Sequence, residues 1–139
     1  MCDSGGTYGF LGRLPKGADL LEALTAICTE RGYTRGTVQV IGALERASVG
    51  FYHQDTKRYT THEVNENVEV LAGQGSVSIK DGAPMVHLHL VLGREDGSCL
   101  GGHAMPGCVV FAAEATILPL EGPPLVRAFD EATGLPLWK

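Results

Sequence analysis

Apolar and polar positions alternate with period two along most of this chain, and the pattern shifts to a helical period in one clear segment. In "ADLLEALTAICTERGY" the residues Leu20, Leu21, Leu24, Ile27 and Cys28 recur at the spacing of one helix face, which predicts an amphipathic helix. Asp19 stands where an N-cap is wanted, and Glu22 three residues later completes a box-like pair. Arg31 and Gly32 supply the stop signal, a basic last turn followed by a residue free to turn left-handed. The apolar stripe is expected to cover a sheet, and nothing on this helix suggests chemistry.

The remaining segments predict strands. "TVQVIGAL" (37–44) and "ASVGFYH" (47–53) are parted by Glu45 and Arg46, and "RYTTHEV" (58–64) follows a turn around Asp55, Thr56 and Lys57. "NVEVLAG" (67–73) and "SVSIK" (76–80) are parted by a glycine-bearing break. Asp81-Gly82 is a turn signal, and Pro84 suits the start of the next strand. "MVHLHLVL" (85–92), "SCLGGH" (98–103), "CVVFAAEATILPL" (108–120) and a short "LVRAF" (125–129) complete the series. One helix feeding a long meander predicts an α+β fold, a mainly antiparallel sheet with the N-terminal helix packed on it. With no internal repeat and no linker, residues 1–139 read as a single domain.

One strand carries an anomaly. Alternation puts Val86, Leu88, Leu90 and Leu92 on one face and His87, His89 and Val91 on the other. Two imidazoles are then aimed the same way from a strand otherwise built for a core. His103 follows the next turn, and the length of that turn decides whether it joins them. A two-residue Asp96-Gly97 loop sets His103 opposite Leu90, on the wrong face. A three-residue Glu95-Asp96-Gly97 loop, with Gly97 left-handed in a bulge, sets it opposite His89 with His87 diagonal to it. Opposed Cβ atoms lie about 4.5–5.5 Å apart, so in that register three rings can converge on one ion.

Three neutral imidazoles with an open fourth position are the donor set of catalytic zinc sites. His87, His89 and His103 are therefore candidate ligands for a divalent transition metal of the zinc type. The competing reading makes them hydrogen-bonded polar groups on a wet face or a subunit contact. Cys99, the nearest thiol, lies four residues from His103 and is a poor fourth ligand. Gly101 and Gly102 leave room for a ligand or another backbone to approach. His53 and His62, set among Gln, Lys, Arg, Thr and Glu, read as surface residues.

Composition adds limits. Hydrophobic residues make up 44% and charged residues 19%, an ordinary globular balance. Sixteen acidic residues against eleven basic ones give a net charge of -5 and no basic stripe, which argues against direct nucleic-acid binding. The sequence offers no apolar run long enough for a membrane span and no signal-peptide pattern at "MCDSGGTYGF", so a cytoplasmic location is expected. Cys28, Cys99 and Cys108 read as small buried residues and Cys2 as exposed near the terminus.

Three stretches, "LLEALTAICTERGYTRGTVQVIGALERASVGFYHQDTKRY", "VEVLAGQGSVSIKDGAPMVHLHLVLGREDGSCLGGHAM" and the acidic "FDEATGLPLW", together resemble the plants-and-prokaryotes conserved (PPC) domain over nearly the whole chain. The most specific pieces are "IGAL", "SVSIKDG", "HLHLVLG" and "GGH". The resemblance implies an antiparallel α+β domain that assembles as a homotrimer. Plant members add AT-hook segments that bind the DNA minor groove. No "RGRP" core occurs here, so a DNA-binding label would be inherited by association. The fold is also similar to that of acetolactate decarboxylase, whose zinc is held by three histidines, and the family's HxH and GGH histidines match His87, His89 and His103. Glu114, an acidic residue in the apolar "FAAEATI", would be a ligand or general base if it faced the same cavity. Otherwise it is an edge or interface carboxylate with a polar partner. Two functions follow as expectations: a metal-binding homotrimer that binds or converts a small polar molecule, or a regulatory module that engages a protein partner.

Overall fold

The computed structural model describes residues 8–139. In chain order the elements are β1 (Phe10–Leu14), α1 (Leu20–Arg31), β2 (Gly36–His53), β3 (Arg58–Val64), β4 (Val68–Lys80), β5 (Ala83–Gly93), β6 (Cys99–Ala104), β7 (Val109–Pro119), β8 (Arg127–Asp130) and β9 (Leu135–Trp138). The fold is α+β: a mainly antiparallel sheet with one helix packed on it.

The helix begins and ends where its caps dictate. Asp19 Oδ2 accepts from the Glu22 N–H at 3.1 Å, and Asp19 Oδ1 accepts from Gly107 N–H at 2.7 Å, tying the helix start to the loop before β7. Gly32 is left-handed at φ 69°, and its N–H reaches the last helical carbonyls. Leu20, Leu24 and Cys28 are wholly buried against the inner face of the sheet, among Val38, Val40, Leu88 and Leu92. Burying each leucine side chain contributes about 1.5–3 kcal/mol.

The strands run in the order β1-β7-β2-β4-β5-β6, with β3 added to β2. β2 is long enough to serve twice. Its first half pairs with β7 and β4, and its second half pairs with β3 and β6. The path β2-β4-β5-β6 therefore returns to β2, through Val49↔Ala104 and Gly50↔His103.

Two expected breaks turn out to be continuous strand. β2 runs through Glu45 and Arg46, both exposed, because a bulge against β7 absorbs the lost alternation. β4 runs through Gly73 and Gly75. A Cβ at Gly75 would lie 1.8 Å from the His87 carbonyl oxygen, so this glycine permits close pairing with β5 rather than a turn. β1 and β9 have no counterpart in the expected strands: both are short, β1 pairing with the distant β7 and β9 with the adjacent β8.

The β8–β9 hairpin forms its own two-stranded sheet and is fastened to the main one. Near β8 it is pinned by a parallel bridge between Val126 and Ile79, with Ile79 N–H donating to Leu125 O at 2.7 Å. At its turn, Tyr52 Oη donates to Thr133 O at 2.6 Å and Lys57 Nζ to Glu131 O at 2.9 Å.

Cys28 and Cys108 are buried as expected, and burial pushes both thiols up, Cys28 to about 11. Cys99 is exposed, contrary to expectation, because it lies at the open start of β6 just past the turn. Cys2 lies outside the described residues. No described helix is long and apolar enough to cross a membrane.

Candidate metal centre

β5 divides its side chains as alternation requires. Val86, Leu88, Leu90 and Leu92 are buried, while His87 and His89 project from the opposite face. The turn into β6 has three residues. Arg94 N–H donates to Ser98 O at 2.8 Å, Gly97 N–H donates to Arg94 O at 2.9 Å, and Gly97 is left-handed at φ 83°. Asp96 Oδ1 holds the turn by accepting from Ser98 N–H at 2.9 Å and Ser98 Oγ at 2.6 Å. Counting back from this closure sets His103 directly opposite His89.

β6 can lie this close to its neighbours because of its two glycines. A Cβ at Gly101 would sit 2.2 Å from Leu90 O, and one at Gly102 would sit 2.6 Å from Gly50 O. Backbone approach is thus what the pair provides, on the β5 side and on the β2 side in turn.

The three imidazoles converge. One ring nitrogen from each of His87, His89 and His103 lies within 4.8 Å of the other two. His87 Nε2 and His89 Nε2 are 3.0 Å apart, and the ring centroids are separated by 4.9, 5.0 and 5.5 Å. Two imidazole nitrogens bound tetrahedrally to zinc at about 2.0–2.1 Å stand about 3.3–3.4 Å apart. The geometry and the all-nitrogen donor set therefore fit a zinc-type ion with small adjustments of side-chain torsion.

Their protonation states fit as well. His87 is lowered to about 4, first by burial, then by the neighbouring His103, His89 and Arg127. His103 is lowered by burial and then by His89 and Arg127. Both rings are thus neutral at pH 7, as a metal ligand must be.

Two further side chains border the group, and the sequence reading singled out neither. The Tyr59 ring lies 5.2 Å from the His103 ring, and its hydroxyl is raised by burial and by Tyr52. Arg127, from β8, donates through Nε to Ser78 Oγ at 2.6 Å and through Nη1 to Pro136 O at 2.9 Å, and packs 4.9 Å over the Trp138 ring. Ser78 is fully buried beneath it and lies two residues along β4 from Ser76, the cross-strand partner of His87. "LVRAF" marks Arg127 as part of a strand, but no local pattern says where that strand docks.

Glu114 does not join the group. Its neighbour Thr116 heads the row Thr116–Gln39–Gln74–His89, so Glu114 stands three strands away from His89. That separation is about 14 Å at ordinary strand spacing. Glu114 is exposed, opposite Arg13 on one side and Ile41 on the other. The shared-cavity condition for a role as ligand or base is not met, because the sheet spreads these strands apart. His53 and His62 are exposed, with His53 Nε2 2.6 Å from Thr60 Oγ1. Among the described residues, Cys99 and the carboxylates stay outside the group of three.

Comparison with known proteins places these observations. Residues 4–121 match the Plants and Prokaryotes Conserved (PCC) domain. A metal-containing protein from Archaeoglobus fulgidus is 42% identical, with a TM-score of 0.91 over 95% of this chain and 93% of that one. A plant- and prokaryote-conserved protein from Pyrococcus horikoshii is 33% identical, with a TM-score of 0.90 over 95% and 91%. Among curated sequences, the bifunctional protein GlmU of Synechococcus sp. (strain JA-2-3B'a(2-13)) is 33% identical over 125 residues, 88% of this chain and 18% of that protein. The chain thus spans less than a fifth of the length of the curated relatives it matches.

Proposed function

Since the chain belongs to the Plants and Prokaryotes Conserved domain family, we propose that it is a metal-binding protein of that family, with His87, His89 and His103 as the ligands of a zinc-type divalent ion. The observation that carries this reading is the convergence of three ring nitrogens within 4.8 Å on the half-open outer face of the sheet. The Archaeoglobus relative's description as metal-containing supports it. When bound with a free fourth position, such an ion polarises a carbonyl or activates water.

The chain's own residues define what surrounds that position. The histidines present ring nitrogens, the β5–β6 turn fixes their register, and Tyr59 covers His103 from the β3 side. The opening beside His89 is lined by Gln74, Val91, Gly101 and Gly102 and has room for a small molecule. In this reading the protein works in the cytoplasm as a homotrimer, binding or converting that molecule.

Elemental analysis of protein purified without chelator tests the proposal. Close to one equivalent of transition metal per chain is expected, with loss in His87→Ala and in His103→Ala. Less than a tenth of an equivalent in the wild type, with no uptake on titration, overturns it.

A second reading makes the assembly a protein-interaction module. It draws on exposed apolar side chains such as Phe51, Phe111 and Phe129. The two readings part on His87→Ala: an assembled variant that keeps every cellular phenotype favours the module. Direct DNA binding is not proposed, given the net charge of -5.

A further inference from the structure

Arg127 is held near the His87 end of the histidine group, through Ser78, by groups that orient it without neutralising it. Its partners are a serine hydroxyl, a backbone carbonyl and an indole face. The ion pairs among the described residues are Lys16–Glu45 and Arg94–Glu66, and neither involves Arg127. Among the described residues this guanidinium therefore has no carboxylate partner.

Its position relates it to the histidines. The Ser78 hydroxyl that anchors Nε is one same-face step, about 6.6 Å along the strand, from the position opposite His87. Nε and Nη1 are engaged, and Nη2 has no acceptor among the described residues. The β8–β9 hairpin that carries it is fastened at both ends, to Ile79 and to Tyr52 and Lys57, so the guanidinium is fixed in place.

The charges at the site then select the ligand. Three neutral imidazoles do not offset a divalent ion, and an unpaired guanidinium adds to its charge. A ligand that spans both meets positive charge at each end. Resting on the metal reading above, we propose that Arg127 is the specificity-determining residue of the three-histidine site, and that the molecule bound there carries an oxyanion, carboxylate or phosphate, which Arg127 grips while another oxygen faces the ion. Guanidinium recognises both groups through paired N–H···O bonds.

Cobalt(II)-loaded protein gives a visible spectrum that tests this without assuming a reaction. Titration with glycolate, with inorganic phosphate and with neutral acetamide is expected to shift the spectrum with at least one of the two anions, well below the acetamide concentration needed. The tighter anion identifies the oxyanion class. Arg127→Gln is expected to weaken that anion at least tenfold while cobalt affinity is unchanged or rises, because a nearby positive charge has been removed. Arg127→Lys, which keeps the charge and loses the fork, is expected to fall between. Ser78→Ala, which keeps the guanidinium and loosens its anchor, is also expected to weaken the anion. Cobalt uptake with equal anion affinity in wild type and Arg127→Gln overturns this inference alone, as does acetamide binding as tightly as the anions. Failure of the wild type to take up cobalt overturns the metal reading and this inference together.

Discussion

His87 and His103 show how a residue's surroundings prepare it for a role. Both are half-buried on a sheet face, next to one another and to a guanidinium, and all of these disfavour the imidazolium. A depressed folded-state value has a definite consequence for stability. Between about 6.5 and about 4 the unfolded chain holds a proton at position 87 that the folded chain does not. Stability therefore rises with pH through that window and levels off above it. Urea midpoints of chelator-treated protein at pH 7, 5.5 and 4.5 are expected to fall with pH, and to fall less in His87→Gln. Parallel slopes in the two proteins would remove the basis for this account. The histidines were legible in the sequence because alternation singles out polar residues on a face. Arg127 was not, since its relevance depends on Ser78 lying beneath it, 49 positions away in the chain.

At the scale of elements, the β5–β6 turn governs whether a three-histidine group exists at all. Removing Glu95 would leave a two-residue loop and move β6 by one position, turning His103 to the opposite face. Such a deletion is expected to abolish metal retention even where circular dichroism shows the sheet intact, and full metal content in the deletion variant would contradict the turn argument. The helix α1 and strand β3 matched their sequence patterns closely, because cap residues and turn residues act locally. β2 and β4 ran past their expected ends for the opposite reason. Glu45-Arg46 and the glycines of β4 resemble breaks to a local reading, but neighbouring strands accept a bulge at one and press close at the other. Glu114 sat in a promising sequence context, and only the strand order revealed how far it stands from His89.

For the whole molecule, the outer face of the sheet carries exposed Ile41, Leu71, Val91 and Phe111, large apolar side chains left open to solvent in a single chain. The homotrimer proposed above would cover such a surface. Light scattering is expected to give three times the 14.7 kDa of one chain, and Phe111→Asp to shift the mass toward one chain. A wild type that stays at one chain's mass across micromolar concentrations would exclude the assembly. The sequence by itself determined the fold class, the helix and its caps, the facing of His87 and His89, and the condition under which His103 would meet them, because period, caps and turn chemistry act over a few residues. The tertiary structure decided that the turn has three residues, that β6 closes back on β2, that Glu114 stands apart, and that a C-terminal hairpin brings Arg127 to the imidazoles. Those outcomes depend on strands meeting across long separations in the chain, where packing and backbone pairing choose among registers that local pattern leaves open.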